Sequence, residues 1–502
     1  MAASGRIFGI NGPIVYLAGD FGFQMNEMVY VGESRLVGEV IGLTSARTTI
    51  EVYEETTGLK PGEPVTGTGA PVSVTLAPGI ITNIFDGIER PLSAIRASGG
   101  FYIDRGVHVS SLDTEKKWDA HITVKKGDYV YPGTVIAEVP ETRAIIHKVM
   151  VPPSMEGYVL DAVSDGAYTI EEPLITLQKK DGSEVKIPMA QKWPIRVPRP
   201  VHKRYPASVP LITGQRILDT MFPIAKGGTA AIPGGFGTGK TMTQHQIAKW
   251  SDADIIIYIG CGERGNEMTQ VLEEFSELID PKSGNPLMDR TTLIANTSNM
   301  PVAAREASIY TGLTLAEYYR DMGYDVAIMA DSTSRWAEAL RELSGRLEEM
   351  PAEEGFPAYL ASRLSAFYER AGMMQTLNGS TGSVSIIGAV SPQGGDFSEP
   401  VTQNTKRFVR CFWGLDKSLA YSRHFPAIHW LTSYSEYLND LSHWYQDNVS
   451  PQFVDYRNRL MALLNQESSL LEIVKLIGSD VLPDDQKLSL IHISEPTRLR
   501  CI

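Results

Sequence analysis

Cysteine is scarce in this chain: three in 502 residues, at Cys261, Cys411 and Cys501. That number, without paired or ligand-like spacing, excludes a disulfide framework and a zinc module. The first two are expected to be small buried residues. Long apolar runs are missing too. None approaches the ~18 residues of a membrane span, and residues 1–6 lack the hydrophobic segment of a signal peptide. The expectation is a cytosolic chain that meets a membrane only through partners, at its cytoplasmic face. An excess of positive charge is also absent. Lys and Arg total 46 against 59 Asp and Glu, a formal net charge of −13. A nucleic-acid motor with a basic footprint is therefore disfavoured, although a local basic groove fits inside an acidic chain. What remains is ordinary for a globular protein, 43% hydrophobic and 21% charged. The length suits about three domains.

The most informative stretch is 234–241, Gly-Gly-Phe-Gly-Thr-Gly-Lys-Thr. It fits G-x-x-x-x-G-K-[ST], the loop whose backbone N–H groups converge on phosphate oxygens. Lys240 can reach the terminal phosphates and the Thr241 hydroxyl can bind Mg²⁺. A chance glycine-rich turn is the bland alternative. The flanks argue against it: 229–232 suits a strand and 242–250 continues as a helix, giving strand–loop–helix. The helix start adds its positive dipole end.

Residues 1–75 read as an N-terminal β-barrel, with short strands at 7–9, 28–31, 37–42 and 48–52 punctuated by Gly, Asn and Asp. Residues 111–195 read as a β-rich insertion. Its layout resembles a lipoyl-type sandwich, but only 147–150, with Lys148, approaches a modifiable hairpin tip, and a structural insertion is the preferred reading. Residues 194–210 are proline-rich and basic and suit an extended connector. Segments 76–110 and 196–434 form the nucleotide domain, where apolar strands at 255–259, 292–295, 326–330 and 384–389 alternate with helices. Unbroken apolar runs suit central parallel strands covered on both faces. Residues 435–488 turn helical, at 452–465 and 468–477. The fold class is thus multidomain, α+β and α/β.

Two strands empty beside the loop. One leads into Cys261-Gly262-Glu263-Arg264. Ligands in open α/β sheets sit beyond the carboxyl ends of strands. Glu263 is placed to polarise an attacking water and Arg264 to stabilise phosphoryl charge; an exposed loop ion pair is the alternative. The other strand, 324–330, ends in Asp331, whose carboxylate is expected to hold Mg²⁺ with the Thr241 hydroxyl. Arg335 either faces the same site or begins a helix. Phe425 either stacks on adenine or packs in a core.

Several longer stretches agree with one family. The phosphate loop followed by Met-Thr-Gln-His-Gln, then 258–267, 296–308, 329–342 and 394–402, resemble the catalytic A subunit of vacuolar/archaeal-type rotary ATPases. The similarity runs from about residue 5 to 488 and includes the insertion, which in that family separates A subunits from F-type β subunits. The resemblance implies a barrel, an insertion, a RecA-like nucleotide domain and a helical domain. It implies ATP or ADP and Mg²⁺ as ligands. Gly234, Gly235, Phe236, Gly237, Thr238, Gly239, Lys240, Thr241 and Met242 would cradle the nucleotide, with Phe425 on adenine. Thr241 and Asp331 would serve the metal. Lys240, Glu263 and Arg264 would be catalytic. It also implies an A₃B₃ ring with a non-catalytic B subunit that supplies an arginine finger, plus central-shaft and peripheral-stalk partners, no nucleic acid and no direct membrane insertion.

Two departures accompany the resemblance. Thr238 stands where eukaryotic A subunits carry a redox-active cysteine, so disulfide silencing is not expected and a prokaryotic enzyme is favoured. Residues 489–502 show no match to the family, and Pro496 disfavours a continuing helix; a truncated helical domain with a non-native tail is expected. Rivals are another RecA-like ring ATPase of secretion or helicase type, a non-catalytic nucleotide-binding subunit, and an inactive fragment. The first leaves 111–195 unexplained, and the second lacks an intact Lys240–Glu263–Asp331 set. Whether the rotor carries H⁺ or Na⁺ is set by other subunits.

Overall fold

The computed structural model describes residues 3–99, 105–478, 482–484 and 486–487. The expectation for 489–502 lies outside the described residues.

The first strands build a seven-stranded antiparallel sheet, edged by Ser4–Arg6 beside Pro64–Pro71 and by Gly9–Asn11 beside Ile14–Ala18. The expected strand at 7–9 is instead a crossing. Ile7 N–H donates to Glu63 O at 2.9 Å, and Phe8 N–H to Tyr16 O at 2.7 Å. One short segment thus pairs with both edges and closes the sheet, which removes its exposed edges. Val15, Leu17, Val29, Val40 and Ile50 fill the interior, because alternate residues of a strand point to one face.

The insertion holds two four-stranded sheets, one containing Val135–Pro140 and Ile146–Met150, the other Gly157–Ala162 and Pro173–Gln178. Lys148 is not at a hairpin tip. It lies within Ile146–Met150, and its Nζ donates to Met322 O at 2.9 Å. His147 beside it is fully buried, bonded through Nδ1 to Glu141 and through Nε2 to the Tyr318 hydroxyl, both at 2.9 Å. The insertion therefore docks firmly on the nucleotide domain.

That domain is centred on a ten-stranded sheet. Its parallel middle runs Thr229–Pro233, Thr381–Val390, Asp325–Asp331, Ile255–Glu263, Thr291–Thr297 and Ile84–Phe85. Ile255, Ile256, Ile257, Tyr258 and Ile259 are all fully buried, as expected where helices cover both faces. One of those helices, Val302–Asp321, is buried along nearly its whole length. Its polar residues are matched rather than solvated. Arg196 joins Glu306 to Glu39 of the barrel, each at 2.9 Å. Glu317 pairs with Arg370 at 2.7 Å and Asp321 with Arg199 at 2.6 Å. The proline-rich connector is thus more than a tether: Arg196 and Arg199 are anchors, and Lys203–Tyr205 pairs with Gly372–Gln375.

The last part is helical, Leu438–Asn448 followed by Phe453–Ile477. The two helices expected at 452–465 and 468–477 are one. Gln466 and Glu467 between them are good helix formers, and nothing there breaks the run. Cys261 and Cys411 are free and buried, as expected of small apolar side chains.

Candidate functional site

Strand Thr229–Pro233 delivers the glycine-rich loop to the C-terminal edge of the sheet, and helix Lys240–Trp250 departs from it. Gly237 and Gly239 turn the chain with φ of 77° and 88°, a region open to glycine. Thr238 Oγ1 donates to Gly235 O at 2.8 Å and Thr243 Oγ1 to Gly239 O at 2.8 Å. These bonds fix the loop's shape from inside. The Lys240 ammonium donates to Gly234 O at 2.8 Å and Gly235 O at 3.1 Å. Burial holds its pKa below the usual lysine value.

The loop forms one wall of a cleft of about 550 Å³. Lys240, Thr241, Met242, Phe236, Gly237 and Gly239 line it on that side; Glu263, Arg264 and Asp331 line it from the neighbouring strand ends. Gly234, Gly235 and the buried Thr238 form the loop's base rather than the cleft surface. Phe425 does not line the cleft. Its exposed ring flanks the loop, with Cε1 3.8 Å from where a Cβ on Gly239 would sit.

The carboxylates are set by local backbone geometry. The register between Ile255–Glu263 and Thr291–Thr297 slips between Cys261 and Glu263. Gly262 takes φ 75° at that bulge, and a Cβ there would lie 2.8 Å from Arg335 Cβ. Bulges re-aim side chains at strand ends. Burial, then the Asp331 charge and a hydrogen bond with Glu267, push the Glu263 carboxyl up to about 8. Asp331 is buried, and its pKa too is raised by burial, against hydrogen bonds from Thr241 and Tyr258. The Thr241 hydroxyl donates to Asp331 Oδ2 at 2.7 Å and the Tyr258 hydroxyl to the same oxygen at 3.1 Å.

Arg264 caps the start of helix Gly265–Glu277, its guanidinium 5.8 Å from the Phe236 ring centre. Arg335 does both things left open by its sequence: it begins helix Thr333–Arg346 and lines the cleft, paired with Glu338 at 2.9 Å. Several lining residues had escaped sequence reasoning. Glu267 and Gln270 lie on the helix after Arg264, and Ser391 to Gly394 close the mouth. Lys417 Nζ donates to Gly394 O at 2.7 Å. His245 also lines the cleft, one helical turn beyond Thr241. For Tyr258 a signal existed: a lone hydroxyl in an aliphatic strand needs a buried partner.

A hard cation fits these donors. Thr241 and Asp331 offer only oxygen, and among the described residues no three His, Cys, Asp or Glu side chains could hold a metal by themselves. Mg²⁺ is held in that manner, by one or two protein oxygens together with substrate phosphates and water.

Family models match the chain in four consecutive parts. These are the beta-barrel domain of the ATP synthase alpha/beta family at 7–69 and the alpha/beta subunit barrel-sandwich domain at 109–196. The family's nucleotide-binding domain matches 214–435, and the C-terminal domain of V and A type ATP synthase matches 442–492. The V-type ATP synthase alpha chain of Halothermothrix orenii is 63% identical over 491 residues, 98% of this chain and 83% of that one. The V-type ATP synthase alpha chain 2 of Clostridium tetani is 63% identical over 487 residues, 97% and 82% of the two chains. The A-subunit of the A-type ATP synthase from Methanopyrus kandleri is 58% identical over 491 residues, 97% and 83%. With the loop, the glutamate strand and the aspartate strand converging on one cleft inside this domain order, the chain belongs to the alpha (A) chains of V- and A-type ATP synthases.

Proposed function

We propose that this chain is the catalytic subunit of a V/A-type rotary ATPase, turning over ATP and ADP at interfaces with B subunits and coupling that chemistry to H⁺ or Na⁺ movement. The observation that carries it is the Thr241–Asp331 hydrogen bond at 2.7 Å, with Lys240 and Glu263 on the same cleft. The loop amides and Lys240 bind the phosphate tail, Thr241 and Asp331 hold Mg²⁺, and Phe425 meets adenine. Mg²⁺ held by Thr241 and Asp331 would supply positive charge against the phosphate tail. Glu263, ionised, orients water in line with the outer phosphorus and accepts its proton. Arg264 stabilises charge on the transferring group. The ring's B subunit supplies the arginine finger, so the site is completed only in the assembly, which sits with shaft and stalk subunits at the cytoplasmic membrane face. Among the described residues no helix is long and apolar enough to cross a membrane.

The secretion and helicase alternatives gain nothing. The insertion they leave unexplained matches the barrel-sandwich domain of ATP synthase subunits. The reading is tested by calorimetry with a non-hydrolysable ATP analogue. Wild type binds it, and Lys240→Ala binds about 10-fold or more weakly, as expected for loss of a charge-assisted hydrogen bond of about 1.5–3 kcal/mol. Unchanged affinity in that variant refutes the loop assignment.

A further inference from the structure

Asp331 is also held by a residue outside the phosphate loop. The Tyr258 hydroxyl donates to Asp331 Oδ2 at 3.1 Å. Tyr258 itself is fully buried in the middle of strand Ile255–Glu263. Its ring is clasped by two others, His245 at 5.7 Å edge-on and Phe275 at 5.6 Å. His245 in turn packs edge-on against Phe275 at 5.2 Å, and its Nδ1 lies 2.8 Å from Glu274 Oε2. A carboxylate accepts only, so the Nδ1 proton points at Glu274. His245 Nε2 is buried without a hydrogen-bond partner among the described residues. The imidazole is therefore fixed by Glu274 alone and acts on Tyr258 as a packed plate.

We propose that Tyr258 and His245, anchored by Glu274, are positioning residues for Asp331. Oδ2 takes both hydroxyls, from Thr241 and Tyr258, while Oδ1 accepts no hydrogen bond among the described residues. The Tyr258 bond stops the carboxylate from rotating and leaves its free oxygen at the cleft that Asp331 lines. Thr241 is one restraint on the carboxylate, and its hydroxyl is itself a ligand in the reading above, on which this inference rests: it offers a lone pair to the metal while its proton stays on Oδ2. Tyr258 is a second donor to the same oxygen that takes no part in ligation. Supporting groups of this kind typically tune metal affinity by about 10–100-fold. The run from helix Gly265–Glu277 through helix Lys240–Trp250 to strand Ile255–Glu263 also ties the aim of one carboxylate to three elements.

The test uses the full chain and a non-hydrolysable ATP analogue, with affinity measured by calorimetry in excess Mg²⁺ and in EDTA. The magnesium-dependent gain is the readout, and no turnover is needed. Tyr258→Phe removes one oxygen and keeps the ring. Its gain is expected to shrink by about 10–100-fold with EDTA affinity equal to wild type. Glu274→Ala, at a half-buried helix position, frees His245 and is expected to shrink the gain in the same direction by less. A full gain in Tyr258→Phe overturns the proposal. So does equal loss in Mg²⁺ and EDTA, because the hydroxyl would then be supporting the loop rather than the carboxylate. A full gain in Glu274→Ala removes His245 from the chain of contacts. If wild type itself shows no gain from Mg²⁺, the metal assignment of Thr241 and Asp331 fails, and this inference fails with it.

Discussion

In the nucleotide-free site burial and the Asp331 charge push the Glu263 carboxyl up to about 8, favouring its neutral form. A base must be ionised, and kcat/KM reports the free enzyme's ionisations. The kcat/KM for ATP hydrolysis by the assembled ring is therefore expected to climb with pH through a midpoint near 8 and to level off only above it; a flat profile from pH 6 to 9 contradicts this. Glu263→Gln keeps the shape without the base. Its kcat should fall about 10²–10⁴-fold with analogue binding retained, and wild-type turnover in that variant removes Glu263 from the mechanism. Glu89 carries a different consequence of burial. Its carboxyl rises from 4.5 to about 8 chiefly by desolvation, despite the Thr75 N–H donating to it at 2.7 Å. The folded chain keeps this proton after the unfolded chain has released it, so stability falls as pH rises from 4.5 to about 8. Glu89→Gln cannot titrate, and its unfolding midpoint should fall less between pH 6 and 8 than that of wild type.

Strand ends carry the chemistry, and the bulge at Gly262 is the most sensitive of them. Any side chain there meets Arg335 Cβ at 2.8 Å and must adopt φ near 75°. Gly262→Ala is expected to move Glu263, and misplacement by about 1 Å can cost about 10²-fold in rate. A kcat lowered by about 10²-fold with intact analogue affinity is the signature; unchanged kcat shows that the bulge tolerates a methyl group. The same elements show what sequence makes visible. The loop, the glutamate strand and the aspartate strand were legible because buried parallel strands are unbroken apolar runs with chemistry only at their ends. The partner of Tyr258 was not, since it lies 73 residues away and only the sheet brings them together. Nor was the crossing at Ile7 and Phe8, where β-propensity is high but the hydrogen bonds go to two different strands. Arg196 and Arg199 stood only as part of a basic extended connector, yet their partners, Glu306 and Asp321, wait on a helix 110 and 122 residues on.

In the proposed ring, this chain's own residues would bind and orient, and the arginine that completes the site would come from a neighbour. Purified chain should bind nucleotide and turn over slowly, and adding the B subunit should raise kcat by about 10³–10⁵. Equal rates with and without it would place a complete site within one chain. Within the chain, helix Val302–Asp321 meets the barrel through Glu306 and Arg196, the insertion through Tyr318 and His147, and the connector through Asp321 and Arg199. It is a keel. Sliding any of these bodies along it means pulling buried ion pairs or a buried hydrogen bond apart, so the three ride as one hull. The helices Leu438–Asn448 and Phe453–Ile477 are moored differently, with Arg457 holding Met221 O at 2.8 Å. With the Tyr445 hydroxyl on Asp219 O and the half-exposed Arg410–Asp440 pair, these moorings part at less cost than buried ion pairs do.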